Sequence, residues 1–144
     1  MPMKGALAAM LLLAAACSLG AAPLPTATAD VGGSHVSLAR GSYCWSSGGQ
    51  ATCADSADPE TLLRTGYLKP VTAPAGAPVK VTFNSAPSTV ENRLLWAASG
   101  TVTAAASPGA SFVLAAQPGR YVYAITGKWQ EGDVSFLLPV DVTS

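Results

Sequence analysis

Imidazole and thioether are almost missing from this chain: His35 is the one histidine, and the three methionines, Met1, Met3 and Met10, all lie in the first ten residues. A blue-copper site needs two His and a Cys with a weak axial ligand, and catalytic zinc typically needs three protein ligands. One imidazole builds neither, so no metal or other cofactor is expected. A serine nucleophile needs a base and a group that orients it, and His35 has no second imidazole and no Gly-x-Ser-x-Gly elbow to serve.

Charge is scarce as well, at 11% of residues with a formal net charge of zero. The eight carboxylates are scattered, and Asp58, Glu131 and Asp133 stand where caps and turns use them, which leaves no pair for glycoside hydrolysis. Gly48-Gly49 lacks the helix and the Lys of a phosphate loop. There is no Lys/Arg cluster; beyond Lys4, seven basic side chains face eight acidic ones, so nucleic acid is not an expected partner. The chain reads as non-enzymatic. With 49% hydrophobic residues it is still apolar enough to build one core.

No apolar run reaches the roughly 20 residues that span a bilayer. The longest, Ala6 to Ala16 after Lys4, has the length of a secretory h-region. It ends in Ala14-Ala15-Ala16-Cys17-Ser18, which resembles a bacterial lipobox, with Ala14 where leucine is usual. The expectation is a lipoprotein signal over residues 1–16 and an acylated Cys17 that anchors the chain to the membrane of the bacterial cell envelope. Plain secretion, with cleavage after Ala16 or Gly20, is the alternative and would leave a secreted or periplasmic protein. Cysteine parity favours acylation: with Cys17 lipidated, Cys44 and Cys53 remain to pair in an oxidising compartment. Residues 17–33, small and punctuated by Pro and Gly, read as a flexible tether of about 20–25 Å.

Residues 34–144 carry short β-type runs between turns, the mark of an all-β sandwich. The candidate strands hold Val36 and Leu38; Tyr43 and Trp45; Gln50 to Ala54; Tyr67 to Val71; Val79 to Phe83; Thr89 to Ala98, where Glu91 to Leu95 could instead turn once as helix; Thr101 to Thr103; and Ser111 to Leu114. A final hairpin joins Arg120–Trp129 to the run from Val134 to Val142. Gly48-Gly49 turns the second run back and brings Cys53 to Cys44, a structural disulfide closing a loop of about ten residues. A metal or redox pair is the other reading, without the Cys-x-x-Cys spacing or further ligands. Asp58-Pro59-Glu60 opens a short helix that Gly66 ends. Leu94 and Trp96 are expected on one face, as are Tyr121, Tyr123, Ile125 and Trp129.

The run Gly119-x-Tyr121-x-Tyr123 resembles the tyrosine corner of immunoglobulin-like domains, with Tyr123 where antibody domains carry cysteine. An immunoglobulin-like antiparallel β-sandwich of seven or eight strands with one short helix is therefore expected. Taken together, Tyr43-Cys44-Trp45, Cys53, Asp58-Pro59 with Leu62-Leu63, Gly119-x-Tyr121-x-Tyr123 and Trp129 resemble a group of uncharacterised bacterial lipoproteins and secreted domains, over nearly all of residues 41–142. That group has no assigned activity, so the resemblance gives no residue a role.

The leading functional expectation is a lipid-anchored interaction module for an envelope protein, peptide or glycan. Core packing is the expected use of each aromatic here; if a cluster is exposed, Trp45 with Trp129 is the candidate binding surface. The second expectation is an inhibitor or chaperone-like accessory of secreted enzymes, acting through a protruding loop at Ser85–Thr89 or Ser107–Ala110. A purely structural envelope protein is the third.

Overall fold

The computed structural model describes residues 22–102 and 104–144; the expected signal segment 1–16 and the expected lipidation site Cys17 lie outside the described residues. Eleven strands and one helix follow in chain order. They are β1 (Ala27–Val31), β2 (Ser34–Ser37), β3 (Ala39–Ser47), β4 (Gln50–Ala54), α1 (Pro59–Arg64), β5 (Val71–Pro74), β6 (Pro78–Phe83), β7 (Thr89–Ala97), β8 (Ser107–Pro108), β9 (Ser111–Val113), β10 (Gly119–Trp129) and β11 (Gly132–Thr143). One sheet has the order β2-β1-β6-β9; the other runs β4-β3-β11-β10-β7-β8, with β5 added parallel to β11. No helix among the described residues is long and apolar enough to cross a membrane.

The all-β sandwich with one short helix is as expected. Its connectivity has the immunoglobulin pattern: β6 and β9 neighbour each other in one sheet as strands B and E do, against β7-β10-β11 in the place of C, F and G. Tyr121 confirms the corner. Its hydroxyl donates to Gln117 O at 2.9 Å, back along the chain that enters β10. Replacing it, Tyr121→Phe, should cost about 1 kcal/mol with an unchanged circular dichroism spectrum; an unmoved denaturation midpoint would show that the hydroxyl contributes nothing. Two residues on, the Tyr123 hydroxyl accepts from Ala115 N at 2.8 Å, and burial pushes its phenol up from the usual value.

Eleven strands among the described residues replace the seven or eight expected, with β1, β5 and β8 as additions. β1 falls inside the stretch read as a tether. Ala27, Ala29 and Val31 alternate inward and are buried, but they write the period-two pattern mostly in alanine, which carries little signal. The sandwich therefore begins well before residue 34. β5 occupies Val71–Pro74 and meets the run expected over Tyr67 to Val71 only at its last residue. Thr101 and Val102 lie in no strand. Leu94 and Trp96 do not share a face, because the register slips opposite Val122 and Tyr123. This bulge sends Leu94 into the main core and Trp96 to the opposite side.

That opposite side has a cover of its own. Asp58 caps α1 by accepting from Thr61 N at 2.9 Å, a bond that holds its carboxyl below the ordinary range. Leu62 and Leu63 of α1 then pack with Leu68 over Val122, Ala124 and Leu137. The central strands β10 and β11 are thus buried on both faces, continuously over Tyr121–Ile125 and Phe136–Val140.

Candidate functional site

The hairpin β3–β4 is built on its turn. Gly48 and Gly49 have φ of 61° and 80°, the two consecutive positive values that a two-residue type I′ turn requires and that glycine adopts without strain. The pairing that follows puts Cys44 directly opposite Cys53, with Cα atoms 4.1 Å apart, and the two are joined as a disulfide. Both are exposed. Replacing both cysteines by serine should lower stability by roughly 2–3 kcal/mol and leave the fold intact; an unchanged melting temperature would show that the clamp contributes nothing.

Trp45, one position past Cys44, turns to the inner face. It is buried, with 8% of its surface exposed, and its indole N–H donates to Ala22 O at 3.0 Å. Ala22 N in turn donates to Ser47 Oγ. The N-terminal segment is thereby laid against the hairpin, and between them opens a cleft of about 590 Å³. Tyr43 and Trp45 give it an aromatic wall, Ala22 and Leu24 an apolar one, and Ser47, Gln50 and Thr52 a polar rim. None of the lining residues is charged.

The two tryptophans of the candidate surface meet, but mostly inside. Trp45 and Trp129 stand edge to face with centroids 5.9 Å apart, and the series continues through Phe83 at 5.6 Å from Trp129 to Phe136 at 5.8 Å from Phe83. Such contacts contribute about 0.5–1.5 kcal/mol each beyond the area they bury. Trp129 is half-buried, and its indole N–H is taken by Ser85 O at 3.1 Å. Gly127 leaves room for its ring; a Cβ there would lie 2.5 Å from Trp129 Cη2. These rings face inward because they lie on the core side of β3 and β10. Among the described residues the exposed large hydrophobics are Tyr67 and Val113, neither of them a tryptophan. The candidate surface of Trp45 and Trp129 is corrected to a cleft in which Tyr43 and the edge of Trp45 are presented and Trp129 supports them from behind.

No protein-family model, curated protein or solved structure matches the chain.

Elsewhere the chemistry is sparse. Arg120 donates twice to Asp141, at 2.6 and 2.8 Å, and these bonds hold the Asp141 carboxyl below its usual range and raise the guanidinium. Arg120 borders a shallow depression with Trp96, Glu60 and Arg64. His35 Nδ1 lies 2.7 Å from Asp30 Oδ1 in the open. Among the described residues no three His, Cys, Asp or Glu side chains stand close enough to hold a metal ion.

Sequence reasoning named Tyr43 and Trp45 but missed the opposite wall, because Ala22 and Leu24 lie in the stretch read as tether. No residue type there signals a binding wall.

Proposed function

We propose that the protein is a non-enzymatic binding module of the bacterial cell envelope, held to the membrane by lipid on Cys17, that takes a neutral glycan or peptide in the cleft beside Tyr43 and Trp45. The lining of that cleft carries the reading. Concave sites of this size pair apolar and aromatic walls with a few placed polar groups, and a lining without charge suits hydroxyl and amide partners rather than ionic ones. The disulfide-clamped hairpin fixes the rim before a ligand arrives, which reduces the ordering cost of binding.

Anchoring and binding fit together in this reading. Five residues lead from Cys17 to Ala22, at most about 18 Å when extended, so the cleft works close to the membrane surface. The segments expected to protrude give no support to an inhibitor: Ser85 O and Ser88 N are both bonded to β10, and Ser107–Pro108 is paired with β7.

Two variants test the two halves separately. Cys17→Ala should move the protein from the membrane to the soluble fraction, and retention would contradict the anchor. Tyr43→Ala should weaken binding of neutral oligosaccharides or peptides about tenfold or more, as expected for an aromatic contact at the centre of a site. Equal affinity would contradict the cleft.

A further inference from the structure

Four of the five free strand edges carry a feature that discourages further pairing. β8 and β9 have two and three residues, and β5 follows Pro70 and ends in Pro74. β2 carries His35 against Asp30. Short length, proline and charge are the usual means of blunting an edge. β4 has none of these: Gln50-Ala51-Thr52-Cys53-Ala54 is five residues long, uncharged, free of proline and tied to β3 by the disulfide.

The disulfide also fixes which backbone groups of β4 are free. A Cα separation of 4.1 Å marks Cys44 and Cys53 as a non-hydrogen-bonded pair. Alternate residues of a strand bond to opposite sides. Thr52 therefore exchanges its ladder bonds with Trp45, while the N–H and C=O groups of Ala51 and Cys53 point to the open edge. No partner for them occurs among the described residues.

We propose that a second copy of this chain occupies the edge, β4 pairing antiparallel with β4 about a two-fold axis through Thr52. In that register Ala51 of each copy faces Cys53 of the other, so all of the outward groups of these residues are satisfied by four hydrogen bonds. Thr52 meets its own counterpart across the axis, a favourable cross-strand pair. Asp55 falls opposite Gly49 of the other copy rather than opposite Asp55, so no like charges meet. The pairing is self-complementary, as a two-fold interface must be.

A two-fold axis perpendicular to the sheet also leaves the inner faces of both copies on the same side. Both clefts then open side by side, since Thr52 lies on the rim of each. The strength of pairing rests in part on the proposed anchor: a short strand pair is a small interface, and confinement to a membrane raises the effective concentration. The hydrogen-bond geometry stands without it.

The test uses full-length chain expressed in a bacterial host that exports and lipidates it, with membrane and soluble fractions separated before analysis. Thr52→Cys should give a disulfide-linked dimer on non-reducing gels, while Thr72→Cys, exposed on β5, should remain monomeric. Thr52→Lys, which sets two ammonium groups face to face without touching the ladder, should reduce chemically cross-linked dimer at least about tenfold. A Thr52→Cys protein that stays monomeric in the fraction where it is found overturns the dimer. So does a cross-link only to a different protein, as an extended peptide occupant of the edge would give. Finding the chain outside the membrane defeats the anchor instead, and cross-linking in that fraction still decides the pairing.

Discussion

Gly132→Ala is expected to destabilise the protein by about 3 kcal/mol or more, the most severe effect foreseen for adding a single carbon. The reason is the closeness of two backbones. Gly132 sits at φ 152° where β11 leaves its turn, opposite Trp45, and a Cβ there would lie 2.0 Å from Cys44 O and 3.2 Å from Trp45 Cα. Neither atom belongs to a side chain that can rotate away. Relief requires β3 to separate from β11, which breaks the neighbouring bond from Ser46 N to Glu131 O and releases the wall of the cleft. Guanidinium titration followed by tryptophan fluorescence measures the loss. A midpoint within error of the parent would show that the two strands are not held this closely.

Phe136→Ala should cost about 3–5 kcal/mol, a large part of the 5–15 kcal/mol that single domains usually possess. Phe136 has 1% of its surface exposed and is the largest of the fully buried side chains. It closes the ring series that runs through Phe83 and Trp129 to Trp45. Truncation leaves a cavity between two sheets whose backbones are fixed by their ladders, so little collapse can compensate. The same titration should show a large fall in midpoint, together with altered fluorescence from Trp129 and Trp45. A loss under about 1 kcal/mol would place Phe136 outside the core.

The difference between Gly127 and Gly132 illustrates what a sequence conveys. Both stand in the last hairpin, and nothing in composition distinguishes them. At Gly127 an added Cβ meets the end of a tryptophan ring, whereas at Gly132 it meets main chain. Only the pairing of β11 with β3 creates the second conflict, and that pairing joins residues far apart in the chain.

Local signals were legible. Gly48-Gly49 dictates the turn that aligns Cys44 with Cys53, and Asp58-Pro59 with Gly66 dictates α1. The strict alternation in Val79 to Phe83 and from Tyr121 onward gives the core strands β6 and β10. Features that depend on distant partners were hidden. β1 buries alanines, which is economical only because β2 and β6 already flank it; β5, which follows Pro70 and ends in Pro74, is a strand because β11 offers a parallel edge. Leu94 and Trp96 part company through a bulge that periodicity does not register. For the candidate site, Tyr43 and Trp45 were visible as aromatics and core packing was their expected use, but alternation assigns a face and not the depth at which it lies, so the cleft they line was not legible. The wall formed by Ala22 and Leu24 had no signal, because small residues before a first strand are also what a tether contains.

Amide chemical-shift mapping of the isotopically labelled Cys17→Ala chain, titrated with neutral oligosaccharides and with uncharged peptides, addresses the binding role most directly. The expected result is a saturable set of shifts confined to Tyr43, Trp45, Ser47, Gln50, Thr52 and the facing Ala22 and Leu24. Shifts clustered instead around Trp96 and Arg120, or none from either ligand class, would contradict the cleft as the binding site.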